Sequence, residues 1–296
     1  MGREDGESLK TVAVVIPAGH LQHSPAGANA GFRERLSADE EISYRHLMRF
    51  LGGYDKFLVV PESMSVEDST FGVVRFGDQF FRNNMAYSAL LLSADFYRAF
   101  SRYKFILIYQ LDALVFSDQL PEWCEKDWDY IGAPWIDCED APFVKGPAVG
   151  NGGLSLRKVE SFLKVLGSWR FGPELRRYRD ALAGRGAGPG VRYAPRTPRR
   201  YRLAGRLGLS NPLLKGILRL PQDLEISYGG NEDYFWSFHA PKYYRGFKIA
   251  PVEEGLRFAF EVEPRRCYEL NGRRLPFGCH AWGKYDREFW EPYLLK

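Results

Sequence analysis

Four short runs, Thr11–Pro17 (TVAVVIP), Lys56–Val60 (KFLVV), Gly72–Phe76 (GVVRF) and Phe105–Tyr109 (FILIY), recur within the first 110 residues, with helical patterns between them. A run that is apolar at consecutive positions is the mark of a strand buried on both faces, as in a parallel sheet sandwiched by helices. Ser37–Phe50 reads as a helix. Ser37 is placed to cap it, Glu40 follows three residues later, Ile42, Leu47, Phe50 and Leu51 fall near helical spacing, and Gly52 and Gly53 stop it. Asn83–Phe100 reads as one long helix with Ala86, Leu90, Leu91 and Ala94 on its apolar face. This alternation predicts a doubly wound α/β sheet, whose ligands bind outside the carboxyl ends of the strands. Further along, Tyr130–Ala133 reads as a short strand, Arg157–Leu166 as a helix, Asp233–Phe238 as the start of another, Phe258–Glu261 as a strand and Gly278–Trp282 as a terminal loop.

With 296 residues and 45% hydrophobic content, the chain can bury a large core. We expect a single domain over residues 11–292, a disordered N-terminus over 1–10 and one insertion at 168–221. That insertion carries thirteen Lys/Arg and two Asp/Glu in a chain whose net charge is only +4. A solvated loop is the plain explanation. Contact with an anionic membrane surface through 199–220 is the second, since Leu203, Leu207, Leu209, Leu213, Leu214, Ile217 and Leu218 lie among Arg202, Arg206, Lys215 and Arg219, although Pro212 breaks a continuous helix. Nucleic acid comes third, because no nucleic-acid-binding motif accompanies the charge. The longest apolar runs are far too short to span a bilayer and the N-terminus is mixed in charge, so the expected location is cytoplasmic, with peripheral contact at the inner membrane face. Cys124, Cys138, Cys267 and Cys279 are scattered without a CxxC pair, which suits reduced thiols.

Four segments carry candidate chemistry. Asp112 follows the most hydrophobic strand in Tyr109-Gln110-Leu111-Asp112, where a carboxylate can meet a hard cation and a diphosphate; a loop-turn Asp is the alternative. Gly150-Asn151-Gly152-Gly153 allows close backbone approach to a ligand, and the expected helix behind it could offer N–H groups to an anion; a tight turn against a strand is the alternative. Glu232 and Asp233 open a helix, where acidic residues are favoured by the dipole, but a carboxylate there can also serve as a general base. His280, in Phe277-Gly278-Cys279-His280-Ala281-Trp282, is either a structural histidine or a metal ligand paired with a distant Asp. Trp135, Trp236 and Trp282 lie beside these motifs and could stack on sugars; core packing is the alternative for at least two of them.

The order of these segments resembles the GT-A glycosyltransferases, with their DxD motif, acidic pair and late histidine. GNGGLSLRK and GGNEDYFW are similar to segments of beta-1,4-galactosyltransferases. YQLDALVF, DYIGAPW, VGNGGLSLRKVESFL, NEDYFW and LPFGCHAW together resemble a large family of GT-A-like proteins grouped as a domain of unknown function, over most of 10–166 and 222–292. The resemblance implies a GT-A (Rossmann-like) mixed sheet flanked by helices, and a transferase moving a sugar from a nucleotide-sugar donor, UDP-linked by first choice, to a glycan or glycolipid acceptor with inversion. It implies a divalent cation, Mn²⁺ or Mg²⁺, on Asp112 and His280. Asp233 would be the general base and Glu232 would orient acceptor hydroxyls. Asn151, Gly152, Gly153 and Trp282 would line the sugar and acceptor pocket, and Pro17, Ala18, Gly19 and Arg75 the nucleotide side. The chain departs from the DxD pattern at its first acidic position, which is Gln110, expected on the donor side, where it can hydrogen-bond a ribose hydroxyl or a metal-bound water but brings no charge. Rival readings are a metal-dependent nucleotide-sugar phosphohydrolase, which would release free sugar, and a non-catalytic binding protein.

Overall fold

The apolar runs assemble into one sheet, seen in a computed structural model that describes residues 9–25, 31–66, 68, 70–136, 147–168 and 231–295. The basic insertion beyond Ser168, the proposed membrane segment 199–220, Cys138, Gly229 and Gly230 lie outside the described residues, as does the expected disordered N-terminus up to residue 8. Lys10, included in that N-terminus, opens the first strand instead.

In chain order the strands are β1 (Lys10–Pro17), β2 (Asp55–Pro61), β3 (Gly72–Phe76), β4 (Tyr103–Tyr109), β5 (Leu114–Val115), β6 (Tyr130–Gly132), β7 (Pro134–Trp135), β8 (Ala148–Val149), β9 (Leu154–Lys158), β10 (Ala259–Phe260) and β11 (Gly278–Cys279). The main sheet has the order β3-β2-β1-β4-β9-β6. Its first four strands are parallel, while β9 runs antiparallel to both β4 and β6. The result is a mixed α/β sheet flanked by helices. Alternate side chains of β1 enter two cores: Val12, Val14 and Ile16 on one face, Ala13 and Val15 on the other. That two-sided burial is why the run is apolar throughout, and each such valine or isoleucine contributes about 1.5–3 kcal/mol.

Helix α1 (Ala38–Leu51) begins at Ser37, whose hydroxyl accepts from Glu40 N while the Glu40 carboxylate accepts from Ser37 N, a reciprocal cap. The long helix expected over Asn83–Phe100 is two helices, α2 (Asn84–Leu91) and α3 (Ala94–Arg98). Ser93 adopts an extended conformation and its hydroxyl accepts from Asp95 N at 3.3 Å, so it caps a new helix. After α4 (Leu120–Glu125) comes a second difference. The segment expected to be helical from Arg157 is strand β9 through Lys158, and α5 (Val159–Leu166) starts only there. Pairing on both sides, with Phe105–Tyr109 of β4 and Tyr130–Gly132 of β6, outweighs the local helical pattern. Helix α6 (Glu232–Phe238) packs against α2.

A small three-stranded sheet of order β10-β11-β5 sits at the carboxyl end of β4. Its registers, Phe260↔Cys279 and Cys279↔Leu114, carry the residues just beyond β10 and β11 to the turn that holds Asp112. Among the described residues no helix is long and apolar enough to cross a membrane.

Candidate functional site

The chain leaves β4 at Tyr109 and turns at once, with Ala113 N donating to Gln110 O at 2.9 Å. The Tyr109 hydroxyl braces that turn, 2.8 Å from the carbonyls of Ser43 and Ala113. His280 arrives from β11 and is fixed by its own N–H, which donates to Phe260 O at 2.9 Å. Its Nε2 lies 3.2 Å from Asp112 Oδ1 and 2.9 Å from Gln110 Oε1, and its Nδ1 lies 3.0 Å from Glu261 Oε1. The ring is 11% exposed, whereas the Asp112 carboxylate is 54% exposed. Burial works against charge on the ring, yet the hydrogen bonds and charges of Asp112 and Glu261 prevail and push its pKa up to about 10. At Asp112 burial pulls the pKa up, and the His280 contact more than offsets it, holding the carboxyl below its ordinary value.

The glycine segment forms the floor. Gly153 O accepts from Gln110 N at 2.9 Å, and Gly153 N donates to Asn151 Oδ1 at 3.0 Å. A Cβ on Gly153 would enter the His280 ring, so only glycine lets the imidazole sit there. On Gly152 a Cβ would lie 2.6 Å from Glu232 Oε1. The segment enters strand β9, not a helix, so no helix N-terminus stands behind it as the sequence suggested. Instead Gly152 N donates to Asp233 Oδ2 at 3.2 Å, tying the floor to α6. Burial lifts the Asp233 carboxyl, and the nearby Glu261 charge adds to the rise against the amides of Tyr234 and Gly152.

Behind the floor stands a buried ion pair. Arg157 Nη2 donates to Glu232 Oε1 at 2.8 Å, Nη1 to Oε2 at 3.3 Å, and Nη2 also to Gly152 O at 3.3 Å. Burial lifts Glu232 to about 7 against the pull of the guanidinium. The Glu232 side chain is only 6% exposed and faces Arg157, whereas the expected contact with acceptor hydroxyls needs a carboxylate open to solvent.

The structure thus brings Gln110, Asp112, Asn151, Gly152, Gly153, Asp233 and His280 into one cluster of contacts. It does not bring every expected residue. Trp282 is fully buried, its indole N–H donating to Ser43 Oγ at 3.2 Å, so it offers no face to a sugar. Trp135 and Trp236 are core residues too. Arg75 is exposed on β3, at the sheet edge and two strands from β1. Pro17 ends β1 half-buried, and Ala18 and Gly19 are buried, the latter beneath the Phe81 ring. What the β1 end presents is His20, exposed, hydrogen-bonded to Glu40 at 2.5 Å and near enough to Asp112 to favour its ionised form.

Two further residues escaped the sequence reading. Glu261, a strand-end carboxylate like Asp112, could have been found by that same signal. Arg157 lies inside a buried run, Leu154-Ser155-Leu156-Arg157, and a cation there demands a buried anion.

Three donors of the kinds that hard cations take face one another here. Among the described residues no three His, Cys, Asp or Glu side chains form a metal cluster. Here the donors are one imidazole, one carboxylate and one amide oxygen, and Nε2 lies 3.2 and 2.9 Å from the two oxygens. Adjacent ligands of one octahedral ion at 2.0–2.1 Å are separated by about 3 Å. Glu261 on the far ring nitrogen supplies the carboxylate that metal-bound histidines usually have behind them.

The family described as "Protein of unknown function (DUF5672)" matches residues 70–280, most of the chain. No curated protein matches it. Among solved structures, the glycosyltransferase GlyE of Streptococcus pneumoniae TIGR4 in its apo form is 11% identical, with a TM-score of 0.42 over 96% of this chain and 60% of that one. A second structure of GlyE gives 11% identity and a TM-score of 0.39, over 97% and 60%. The chain therefore spans about 60% of the length of these structures.

Proposed function

The chain belongs to the family described as protein of unknown function (DUF5672), and from that premise we propose that it is a GT-A glycosyltransferase, moving a sugar from a nucleoside diphosphate onto an acceptor hydroxyl with inversion. One observation carries the reading. Segments 110–112, 151–153, 232–233 and 280, far apart in sequence, meet through direct contacts at the carboxyl end of β4.

Asp112, the Gln110 amide oxygen and His280, once its Nε2 has given up its proton, would hold a Mn²⁺ or Mg²⁺ ion. When bound, it neutralises charge on the leaving diphosphate. Glu261 keeps the His280 ring oriented through Nδ1. Asn151, Gly152 and Gly153 bring backbone close to the sugar, and the Arg157–Glu232 pair keeps that floor in place. Asp233 takes the proton from the acceptor hydroxyl. The freed oxygen forms its bond to the anomeric carbon while the bond to the diphosphate oxygen breaks, and that electron pair leaves with the nucleoside diphosphate. Burial favours this task, since a carboxylate with a raised pKa is the stronger base. A single displacement of this kind inverts the anomeric centre.

The test is thermal stabilisation by UDP-, GDP- and dTDP-hexoses, with Mn²⁺ or with chelator, followed by product analysis. Stabilisation that needs Mn²⁺, and a glycoside of inverted configuration, are expected. No stabilisation by any of these donors would overturn the reading, and release of free sugar alone would make the protein a phosphohydrolase.

A further inference from the structure

The carboxyl end of β1 carries a histidine that the proposed reaction does not yet use. β1 and β4 run parallel with Val15 opposite Ile108, so the turn after β1 and the Gln110–Asp112 turn leave the sheet side by side. A short 3₁₀ turn, Gly19–His23, follows β1 and is pinned on both sides of His20. Ala18 N donates to Val59 O at 2.9 Å, and the buried Arg35 donates from Nη1 to Leu21 O at 3.4 Å. The His20 side chain is 55% exposed, and its Nε2 meets Glu40 Oε1 at 2.5 Å. Glu40 divides its carboxylate: Oε2 accepts from Ser37 N in the cap of α1, and Oε1 is given to the ring. One turn along α1, Ser43 O accepts from the Tyr109 hydroxyl that also braces Ala113 O. Ser43 Oγ accepts from the indole of Trp282, and the Trp282 backbone N–H donates to Asp112 O at 3.3 Å. These two chains of hydrogen bonds set the His20–Glu40 pair beside the turn that holds Asp112.

An exposed ion pair of this kind adds little to stability, so the tether on His20 calls for another reason. A leaving diphosphate gathers negative charge, and donors fixed in advance around it are what stabilise it. Other cationic side chains around the cluster are committed: Arg157 is buried against Glu232, and Arg287 is bonded to both oxygens of Asp39. Among the described residues no hydrogen bond reaches His20 Nδ1. We propose that His20 binds the donor's diphosphate, donating from Nδ1 to a phosphate oxygen, and that Glu40 is its positioning residue, holding the opposite nitrogen. With an anionic oxygen on each nitrogen, the ring carries both protons and meets the phosphate as a cation. The proposal rests on the nucleotide-sugar reading above.

The test is calorimetric titration of the full chain with pyrophosphate and with UDP, GDP and dTDP, each with Mg²⁺, and with thermal midpoints of the unliganded proteins alongside. His20→Gln is expected to weaken pyrophosphate and the bound nucleotide alike, about 10-fold or more, as losing a charge-assisted hydrogen bond does, with the midpoint unchanged. Glu40→Gln keeps the cap, which accepts either residue, yet takes a negative charge from beside an anion. On charge alone it would tighten binding. As the loss of a positioning residue it should weaken binding about 3-fold or more, and change it less than about 2-fold further once His20→Gln is in place. Unchanged pyrophosphate affinity in His20→Gln would overturn the proposal and leave the glycosyltransferase reading standing. So would tighter binding in Glu40→Gln, equal weakening by Glu40→Gln in both backgrounds, or a loss that comes with a lowered midpoint. A loss for nucleotides alone would move His20 to the ribose or base and overturn the diphosphate assignment. A wild-type protein that binds none of the four probes would instead remove the underlying reading, and the proposal with it.

Discussion

His280 in the candidate site and His46 beneath the C-terminal segment occupy comparably closed settings, the first with 11% of its side chain exposed and the second 1% exposed overall. Burial alone would keep both rings neutral. At His280, oxygens face both nitrogens, and the ring is driven towards the charged form. At His46, Nδ1 meets Val115 O at 2.8 Å while Nε2 receives the Leu295 N–H at 3.0 Å, so a second proton would confront a donor. Burial therefore prevails there and lowers the pKa, despite the carbonyl. Enclosure sets the stakes, and the partner on the second nitrogen decides the sign. One ring is built to keep company with charge; the other is a clasp.

The largest way to break that contrast is to remove chemistry from the candidate site and leave the clasp intact. Asp233→Asn should cost on the order of 10²–10⁴ in single-turnover transfer rate, with donor affinity retained. A near-normal rate with bound donor would end the assignment of Asp233 as base. Smaller in effect, but sharper in meaning, is a comparison of carboxylates inside the site. Glu232→Ala leaves the Arg157 guanidinium buried and unpaired, and should cost about 3–5 kcal/mol in urea unfolding. Asp112→Asn takes one charged partner from the His280 ring but leaves Glu261 and Gln110 on it, and should cost less, about 1 kcal/mol. If both cost the same, the division between supporting pair and reactive rim does not exist. The smallest effect belongs to the clasp. Burial holds the folded pKa of His46 below the ordinary histidine value of about 6.5. As pH falls below that value the unfolded chain takes the proton first, and the stability contributed above it is lost. The gap in unfolding midpoint between wild type and His46→Gln should therefore narrow between about pH 7.5 and about pH 5.5. A constant gap would mean that the Leu295 contact is not broken by protonation.

Sequence was a good guide where one local rule dominates. The strands β1 to β4 announce themselves because both faces are buried, and α1 because Ser37 and Glu40 satisfy each other across three residues. It misled where two local patterns overlap. Leu154–Leu166 carries apolar residues that fit a helix, yet its first five residues pair with β4 and β6, a contact set by distant segments. The helix over Asn83–Phe100 broke at Ser93 because a hydroxyl cap and a continuing helix are both open to serine. In the candidate site, the gathered residues were legible as an ordered series of motifs. Their partners were not. Nothing local in Glu232 shows that Arg157, 75 residues away, will take both its oxygens, nor that Glu261 will stand behind His280. Trp282 failed as a sugar platform because an aromatic beside a motif looks the same whether it faces solvent or Ser43.

Strand β9 also polices its own alignment. Slide it by one residue past β4, and Leu156 or Lys158 replaces Arg157 beside the Glu232 carboxylate. In one direction the same slip brings Leu154, with a full side chain, to the place where Gly153 admits the imidazole. A misaligned pairing is thus penalised at both ends of one short segment, by a stranded charge and by a steric collision, in addition to the inversion of its inward and outward faces. The groups that hold the site in place therefore also proofread how the sheet closes.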